Sequence, residues 1–158
     1  MRRTAAIALG SNLASACGDP AANLGEAVLR LRELGNVRAV SSFYETAPVG
    51  YTDQPNFTNA ALLLETSLET LGLMAALLAI ERAMGRDRSA AVPAKGPRII
   101  DLDLLLMDDV VLSTPELTLP HPAMAERRFV LEPLAEIAPG MVDPRTGRTV
   151  AEMLARLE

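Results

Sequence analysis

The sequence has few of the residues on which several classes of protein depend. It contains one cysteine, one histidine and no tryptophan, and only 3% of its residues are aromatic. A single cysteine excludes an intramolecular disulfide framework and the usual cysteine-rich zinc site, and it makes the cytoplasm the expected compartment. Hydrophobic residues make up 49% of the chain. Because few of them are aromatic, aliphatic residues and methionine must fill the core.

Positive charge and long apolar runs are also scarce. The chain has 15 Lys and Arg against 20 Asp and Glu, a net charge of -5, which argues against nucleic-acid binding. Its longest apolar stretch, residues 71–80, falls short of the roughly 18 residues that cross a membrane. The run over residues 5–9 is shorter than the roughly 7–15 apolar residues of an export signal and favours a first strand. We expect a soluble globular protein.

The predicted elements follow the order β-α-β-β-α-β, with a C-terminal extension. Strands are predicted over 4–9, 37–46, 57–65 and 99–107. One helix begins at Asp19-Pro20 and ends at Gly35, and a second is capped near Ser67 and ends near Gly85. This order predicts an α+β, ferredoxin-like fold, with a mainly antiparallel sheet and both helices on one face. We expect one domain over residues 1–158.

The C-terminal extension is predicted to consist of shorter pieces. Asp108-Asp109 favours a turn from the fourth strand into a hairpin partner over 110–112. A proline-bounded turn follows at His121, and helices are predicted near residues 130–137 and from Thr149.

Asp101 and Asp103 form the first group of residues that could have a chemical role. On a strand their side chains share one face, about 6.6 Å apart at the backbone, while Ile100, Leu102 and Leu104 point to the other. Two carboxylates this close suit a hard cation such as Mg²⁺, which completes its ligands with water and phosphate oxygens. The alternative is a solvated face, or carboxylates paired with nearby arginines.

A cluster of cations precedes this strand. Arg86, Arg88, Lys95 and Arg98 lie in a Gly- and Pro-containing loop with one acid, Asp87. Arginine forks bind phosphate in bidentate fashion, so the loop suits a polyphosphate, although a solvated loop is the simpler interpretation. No Walker-type P-loop motif is present.

Aromatic residues concentrate between 43 and 57. Phe57 and Asn59 share one strand face beside a Pro- and Gly-containing loop, where a ring could stack and an amide could bind the polar edge of a flat heterocycle. The alternative is a core ring and an amide bonded to backbone. His121 lies between two prolines. It could contact a phosphate, act as an acid or have a purely structural role. Glu81 could accept from a ligand hydroxyl or pair with an arginine.

These residues together predict Mg-dependent phosphoryl-type transfer to a flat aromatic acceptor that they do not identify. Several stretches, in the same order, resemble the 6-hydroxymethyl-7,8-dihydropterin pyrophosphokinase family of folate biosynthesis. The most specific is Gly-Pro-Arg-x-x-Asp-x-Asp at residues 96–103. The others are 8–13, 41–44, 53–60, 81–86 and 120–122.

The resemblance implies the ferredoxin-like fold and transfer of pyrophosphate from ATP to the hydroxymethyl oxygen of the pterin, with release of AMP. It implies that Asp101 and Asp103 hold two Mg²⁺ ions and that Arg86 and Arg98 act at the reacting phosphates. ATP contacts are implied for Glu81, Arg88, Thr118, His121 and Arg127. Pterin contacts are implied for Thr46, Val49, Phe57, Asn59 and Phe129, with the two phenylalanines on either side of the ring.

The sequence departs from the family pattern at several positions. Lys95 replaces a frequent aromatic residue, Glu116 a frequent arginine and Pro122 a frequent tyrosine, and Ala47 and Leu78 differ as well. Two other functions are compatible with the residues: a binding module without chemistry, and an Mg-dependent kinase of the same fold that forms ADP. We expect a cytoplasmic monomer that binds ATP and the pterin.

Overall fold

The computed structural model describes residues 2–48, 53–86 and 97–157. Four helices, α1 to α4, and seven strands, β1 to β7, follow one another along these residues. The strands are β1 Arg3–Ser11, β2 Asn36–Val40, β3 Tyr44–Thr46, β4 Phe57–Thr66, β5 Asp101–Met107, β6 Leu112–Ser113 and β7 Thr118–Leu119. The helices are α1 Pro20–Leu31, α2 Thr70–Ala83, α3 Arg128–Ile137 and α4 Val150–Ala155.

The main sheet is antiparallel throughout. Its strands lie in the order β2-β4-β1-β5, and β3 continues beside β4 beyond β2. Helix α1 connects β1 to β2, and α2 connects β4 to β5. This arrangement confirms the predicted ferredoxin-like fold.

Local signals account for the boundaries of the first helix. The Asp19 carboxylate accepts from the backbone N–H of Ala22 at 2.9 Å, and Pro20 occupies the first turn, as predicted. After α1 a short 3-10 turn leads to Gly35. A Cβ on Gly35 would lie 2.2 Å from the carbonyl oxygen of Glu65, so close approach to β4 requires glycine there.

The sheet separates two apolar cores. On one face, Ile7, Leu62 and Leu104 pack with the buried sides of α1 and α2, which confirms that these helices share a face. On the other, Ala61 and Leu106 pack with α3 and α4, so the C-terminal extension covers the opposite face. Covering both faces gives three layers, helix-sheet-helix, which the sequence prediction did not include.

Two local predictions are wrong. The strand predicted over 37–46 is interrupted between β2 and β3, because the hydroxyl of Ser41 takes the place of a backbone carbonyl and accepts from Ala61 N–H at 2.9 Å. The hairpin predicted between the fourth strand and 110–112 is absent from the described pairings, since β6 pairs with β7. The cap of α2, predicted near Ser67, is Glu69, which makes no side-chain capping bond.

None of the helices in the described residues has both the length and the apolar character that a membrane span requires.

Candidate active site

The floor of the candidate site comes from three neighbouring strands, β4, β1 and the edge strand β5. Gly10 of β1 pairs with Asn59 on β4 and with Asp101 on β5, and the next row in the same face joins Ala61, Ala8 and Asp103. Because the middle strand contributes only glycine and alanine, the floor stays open between Asn59 and the carboxylates. Strands lie about 4.8 Å apart, so about 10 Å separates the backbones of Asn59 and Asp101.

A first cleft lies above this floor, beside the first turn of α3. Thr46 and Phe57 line it from the strands, and Phe129 lines it from the first turn of α3. Asn59, Arg98, Asp101, Asp103 and Arg127 complete the set of predicted residues in its walls.

Asp101 is held by two arginines. Its Oδ1 accepts from Arg86 at 2.6 Å and its Oδ2 accepts from Arg98 at 3.1 Å, so each carboxylate oxygen has a guanidinium partner. The Arg86 side chain is only 10% exposed and also bonds Glu81 at 3.0 Å. The arginine-paired alternative for the two aspartates therefore holds for Asp101 in this structure.

Asp103 has different electrostatic surroundings. Burial, followed by repulsion from Asp101 and Glu81, raises its pKa from 3.8 to about 7, and attraction by Arg127 and Arg86 only partly offsets this. Its carboxylate therefore carries negative charge that the protein compensates incompletely. A cation or a hydrogen-bond donor at this point of the cleft would be stabilised.

Glu81 is the buried acid beside this pair. Its residue is 1% exposed, and its Oε2 accepts from the backbone N–H of Leu102 at 2.7 Å as well as from Arg86. Leu102 lies between the two aspartates, so Glu81 anchors their strand to α2. The expectation that Glu81 pairs with an arginine is met here.

An arginine side chain lies over each of the two aromatic rings in the cleft. The guanidinium carbon of Arg98 lies 5.5 Å from the centre of the Phe57 ring, and that of Arg127 lies 5.7 Å from the centre of the Phe129 ring. Cation–π attraction holds each arginine next to the cleft. The arrangement combines flat apolar surfaces with donors for anionic groups.

The amide of Asn59 is fixed from two sides. Its Nδ2 donates to the hydroxyl of Thr46. A Cβ on Gly10 would lie 2.9 Å from its Oδ1, so the amide occupies the space that a side chain at position 10 would fill. Asn59 thus presents an oriented amide to the floor of the cleft.

A second cleft meets the first at Asp103, which lines both. Its walls combine polar and apolar residues and come from α2, β5 and the segment around β6 and β7. Thr118 and His121 lie in it as predicted positions, and Leu78, Glu116 and Pro122 lie in it as three of the departures from the family pattern. The remaining lining residues are Met74, Leu77, Leu102, Leu104, Thr114, Pro115 and Leu117.

His121 enters this cleft as a neutral imidazole. Burial and the positive charge of Arg127 lower its pKa, although Asp101 acts in the opposite direction. Its Nδ1 accepts from the backbone N–H of Ala123 at 3.2 Å, which leaves the proton on Nε2. His121 is therefore equipped to donate a hydrogen bond from Nε2.

Most of the predicted residues line one of these clefts, but Glu81 and Arg86 line neither, and Glu81, implied at ATP, is only 1% exposed. Arg127, expected at ATP, lines the first cleft, and its charge acts on both Asp103 and His121 across the junction. Val49 and Arg88, which the resemblance assigns to the pterin and to ATP, lie outside the described residues, as does Lys95.

Gly10 is a site residue whose role the sequence pattern did not predict. The turn signal Gly10-Ser11-Asn12 is visible in the sequence, but β1 continues to Ser11. Only the register with β4 and β5 shows that Gly10 lies in the floor of the cleft.

Comparison with known proteins places this geometry in a family. Residues 6–139 match the family model of 7,8-dihydro-6-hydroxymethylpterin-pyrophosphokinase. The chain belongs to this family. The folate-pathway pyrophosphokinase function that the sequence motifs imply is thereby confirmed, and the two clefts are the places to seek its substrates.

Individual relatives agree with this assignment. The chain is 45% identical over 154 residues to the 2-amino-4-hydroxy-6-hydroxymethyldihydropteridine pyrophosphokinase of Methylorubrum extorquens, covering 96% of this chain and 92% of that protein. It is 45% identical over 139 residues to the protein of the same name in Bacillus subtilis, covering 87% and 79%. These pyrophosphokinases match almost the whole of the chain.

Longer proteins match over only part of their length. The folic acid synthesis protein fol1 of Schizosaccharomyces pombe is 38% identical over 157 residues, which are 98% of this chain but 20% of that protein. A crystal structure of Plasmodium falciparum HPPK-DHPS with pteroate superposes with a TM-score of 0.74 at 16% identity, over 99% of this chain and 42% of that one. This likeness supports the fold alone.

Proposed function

We propose that the chain transfers pyrophosphate from ATP to the hydroxymethyl oxygen of 6-hydroxymethyl-7,8-dihydropterin and releases AMP. The observation that carries this proposal is the shared position of Asp103 in the walls of both clefts. One cleft has the aromatic rings and amide that suit a pterin, and the other suits a nucleotide. Their junction is where a phosphoryl group would pass between them.

The pterin is proposed to lie in the first cleft. Phe57 and Phe129 offer aromatic faces for its ring, and Asn59 offers an oriented amide for its polar edge. From Asn59 the floor extends about 10 Å to Asp101, which suits a bicyclic ring with its hydroxymethyl arm directed at the carboxylates. Thr46 holds the amide in this orientation.

ATP is proposed to lie in the second cleft, with its phosphates at the junction. The apolar wall of Leu77 and Leu78 suits a base, and Thr118 and the Nε2–H of His121 offer donors to polar groups. Arg98 and Arg127 reach the junction from the first cleft. Their charges suit the polyphosphate, and Arg86 adds a third guanidinium behind Asp101.

The residues present also fit the Mg²⁺ that the family implies. Asp101 and Asp103 share one face of β5 and both line the first cleft, so we propose them as its two protein ligands. This small set suits Mg²⁺, which takes most of its ligands from water and phosphate. The incompletely compensated charge of Asp103 supports the same assignment. When bound, Mg²⁺ would neutralise phosphate charge and orient the nucleotide.

The proposed reaction is an in-line displacement. The hydroxymethyl oxygen forms a bond to the β-phosphorus, the bond between that phosphorus and the oxygen leading to the α-phosphate breaks, and the hydroxyl proton is released to solvent. Arg98 stabilises the negative charge on the transferred group, and the stacked ring holds the attacking oxygen in line. Positioning and electrostatics supply most of the catalysis, as in phosphoryl transfer generally.

We further propose that the chain acts as a monomer in the cytoplasm. The support is that both clefts are lined by residues of one chain and that the single cysteine makes no disulfide within it.

A product assay tests the proposal. The protein is mixed with ATP, Mg²⁺ and 6-hydroxymethyl-7,8-dihydropterin, and nucleotides and pterins are separated by chromatography. AMP and pyrophosphorylated pterin should form in equal amounts, and omission of Mg²⁺ should abolish both. ADP as the nucleotide product would indicate an ordinary kinase, and binding of both ligands without turnover would indicate a binding module.

A further inference from the structure

The residue that follows β1 lies between the segments that lead into both neighbouring strands. Residues 53–56 lead into β4, and residues 97–100 lead into β5. Asn12 lies between them and is only 3% exposed. Its side chain lines neither of the two clefts.

Every polar group of the Asn12 side chain is used to join these two segments. Its Nδ2 donates to Gln54 Oε1 at 2.8 Å and to the carbonyl oxygen of Pro55 at 3.0 Å. Its Oδ1 accepts from the backbone N–H of Arg98 at 2.9 Å. Its own backbone N–H donates to the carbonyl oxygen of Arg98 at 3.1 Å.

The joined segments carry two residues that must be aligned with each other. Pro55 is two residues before Phe57, and Arg98 is bonded directly to Asn12. Phe57 and Arg98 face each other across 5.5 Å in the first cleft. A rigid amide between their backbones fixes the ring that stacks on the acceptor relative to the guanidinium that holds the transferred group.

We propose that Asn12 is a positioning residue that sets the alignment of Phe57 with Arg98. This inference rests on the proposed function, because the alignment matters for transfer between two substrates. Each substrate alone can bind with one of the two residues slightly displaced. In-line transfer requires both residues in their correct relative positions, so Asn12 acts mainly on kcat.

The first test compares Asn12→Ala and Asn12→Asp with the control Thr66→Val. Thr66 is as buried as Asn12, and its hydroxyl donates to Leu34 O and accepts from Leu68 N–H at the far end of β4. Thr66→Val therefore removes buried hydrogen bonds away from the site. Asn12→Asp keeps an oxygen for Arg98 N–H but loses both donors to residues 54 and 55.

Kinetics decide the positioning role. Asn12→Ala should lower kcat about 10- to 100-fold while the KM values for ATP and the pterin change by less than about threefold. Thr66→Val should keep the wild-type kcat at a comparable loss of Tm. The proposal is overturned if Asn12→Ala keeps the kcat of Thr66→Val, or if its activity falls only in proportion to the unfolded fraction.

Amide hydrogen exchange measures the contact without turnover and applies to any folded variant. Asn12→Ala should increase exchange in peptides covering 53–57 and 97–100, whereas Asn12→Asp should increase it mainly in 53–57. Unchanged exchange in both peptides overturns the proposal.

Wild-type turnover separates this inference from the proposed function. If the wild-type protein forms no pyrophosphorylated pterin, the proposed function fails. Exchange in Asn12→Ala then decides alone whether Asn12 joins the two segments. If the wild-type protein is active, the ratio of variant to wild-type kcat decides the positioning role.

Discussion

Asp101 and Asp103 are two residues apart on one strand, yet their carboxylates have different partners. Arg86 and Arg98 neutralise Asp101, whereas Asp103 keeps charge that burial makes unfavourable. A group that costs stability in the folded state and lies where two clefts meet is typical of a functional site. The alternation of side chains along a strand predicts their shared face, but the assignment of arginines to one of them depends on the fold.

Replacing Asp103 by asparagine should separate activity from stability. Asp103→Asn should lower turnover at least about 10²-fold, because a charged ligand to the proposed Mg²⁺ is lost. The fold should remain intact, as judged by circular dichroism. Wild-type turnover in this variant would contradict the assignment of Asp103 to the metal.

The same substitution should change the pH dependence of unfolding in metal-free buffer. Because the pKa of Asp103 is raised from 3.8 to about 7 on folding, the folded state binds more protons between these values. The free energy of unfolding of the wild-type protein should therefore decrease as pH rises from about 4 to 7. Asp103→Asn should be more stable than wild type at pH 8 and nearly equal at pH 4, measured by thermal unfolding.

Gly10 leaves the space that the Asn59 amide fills. In Gly10→Ala the new Cβ would lie 2.9 Å from Asn59 Oδ1, so the amide must move away from its bond to Thr46. Overpacking of this kind costs about 1–3 kcal/mol, so the pterin KM should rise about tenfold while the KM for ATP stays within about twofold. An unchanged pterin KM would show that the amide does not contact this substrate.

Helix α3 is tied to the edge of the sheet by one exposed carboxylate. Glu136 accepts from the backbone N–H and hydroxyl of Ser42 and from the hydroxyl of Tyr44, the last at 2.6 Å. These bonds lie at the break between β2 and β3. They connect the element that carries Phe129 to the strand segment that carries Thr46, so both walls of the first cleft share a support.

This contact can be measured through the ionisation of Tyr44. Its hydrogen bond to Glu136 is the largest cause that raises the pKa of Tyr44 from 10.0 to about 12. In a Tyr51→Phe background, where Tyr44 is the remaining tyrosine, Glu136→Gln should return the pKa toward 10 in an ultraviolet titration. Glu132→Gln is the matched control on the same helix and should change it little.

Sequence patterns predicted the regular elements better than their interruptions. Asp19 and Pro20 mark the start of α1 locally, and the alternation over 99–107 gives the faces of β5. The break at Ser41 was missed, because its hydroxyl replaces a backbone acceptor only when β4 lies alongside. The pairing of a two-residue strand such as β6 is determined by tertiary packing. The local turn residues Asp108-Asp109 therefore predicted the wrong hairpin.

The two faces of the sheet divide the molecule into layers with different relations to the site. The core under α1 and α2 contains none of the residues proposed to contact the pterin. The core under α3 and α4 continues into the first cleft, where Phe129 packs against it. The helical extension therefore contributes to the binding site as well as to stability.

Matched truncations in the two cores should reveal this division. Leu134 on α3 and Leu31 on α1 are both 0% exposed, so either leucine-to-alanine change should cost about 2–5 kcal/mol of unfolding free energy. Leu134→Ala should also raise the pterin KM, because it loosens the helix that carries Phe129. Leu31→Ala should leave that KM unchanged, and equal effects on KM would contradict the division.

At this scale the sequence predicts less than at the scale of elements. Apolar residues at helical spacing near residues 130–137 predict a helix, but not the face of the sheet that it covers. Phe129 entered the predicted site through family resemblance alone, since one phenylalanine at a helix start has no distinctive pattern. Its position in the same cleft as Phe57 depends on packing across the whole sheet.

The separate cores also define where the enzyme can be redesigned. Stabilising substitutions beneath α1 should accumulate with little effect on either cleft, whereas those beneath α3 and α4 would alter the shape of the cleft proposed for the pterin. A library restricted to the core beneath α1 would therefore yield heat-resistant variants with native specificity. One directed to the core beneath α3 and α4 would be the source of enzymes with altered acceptor preference.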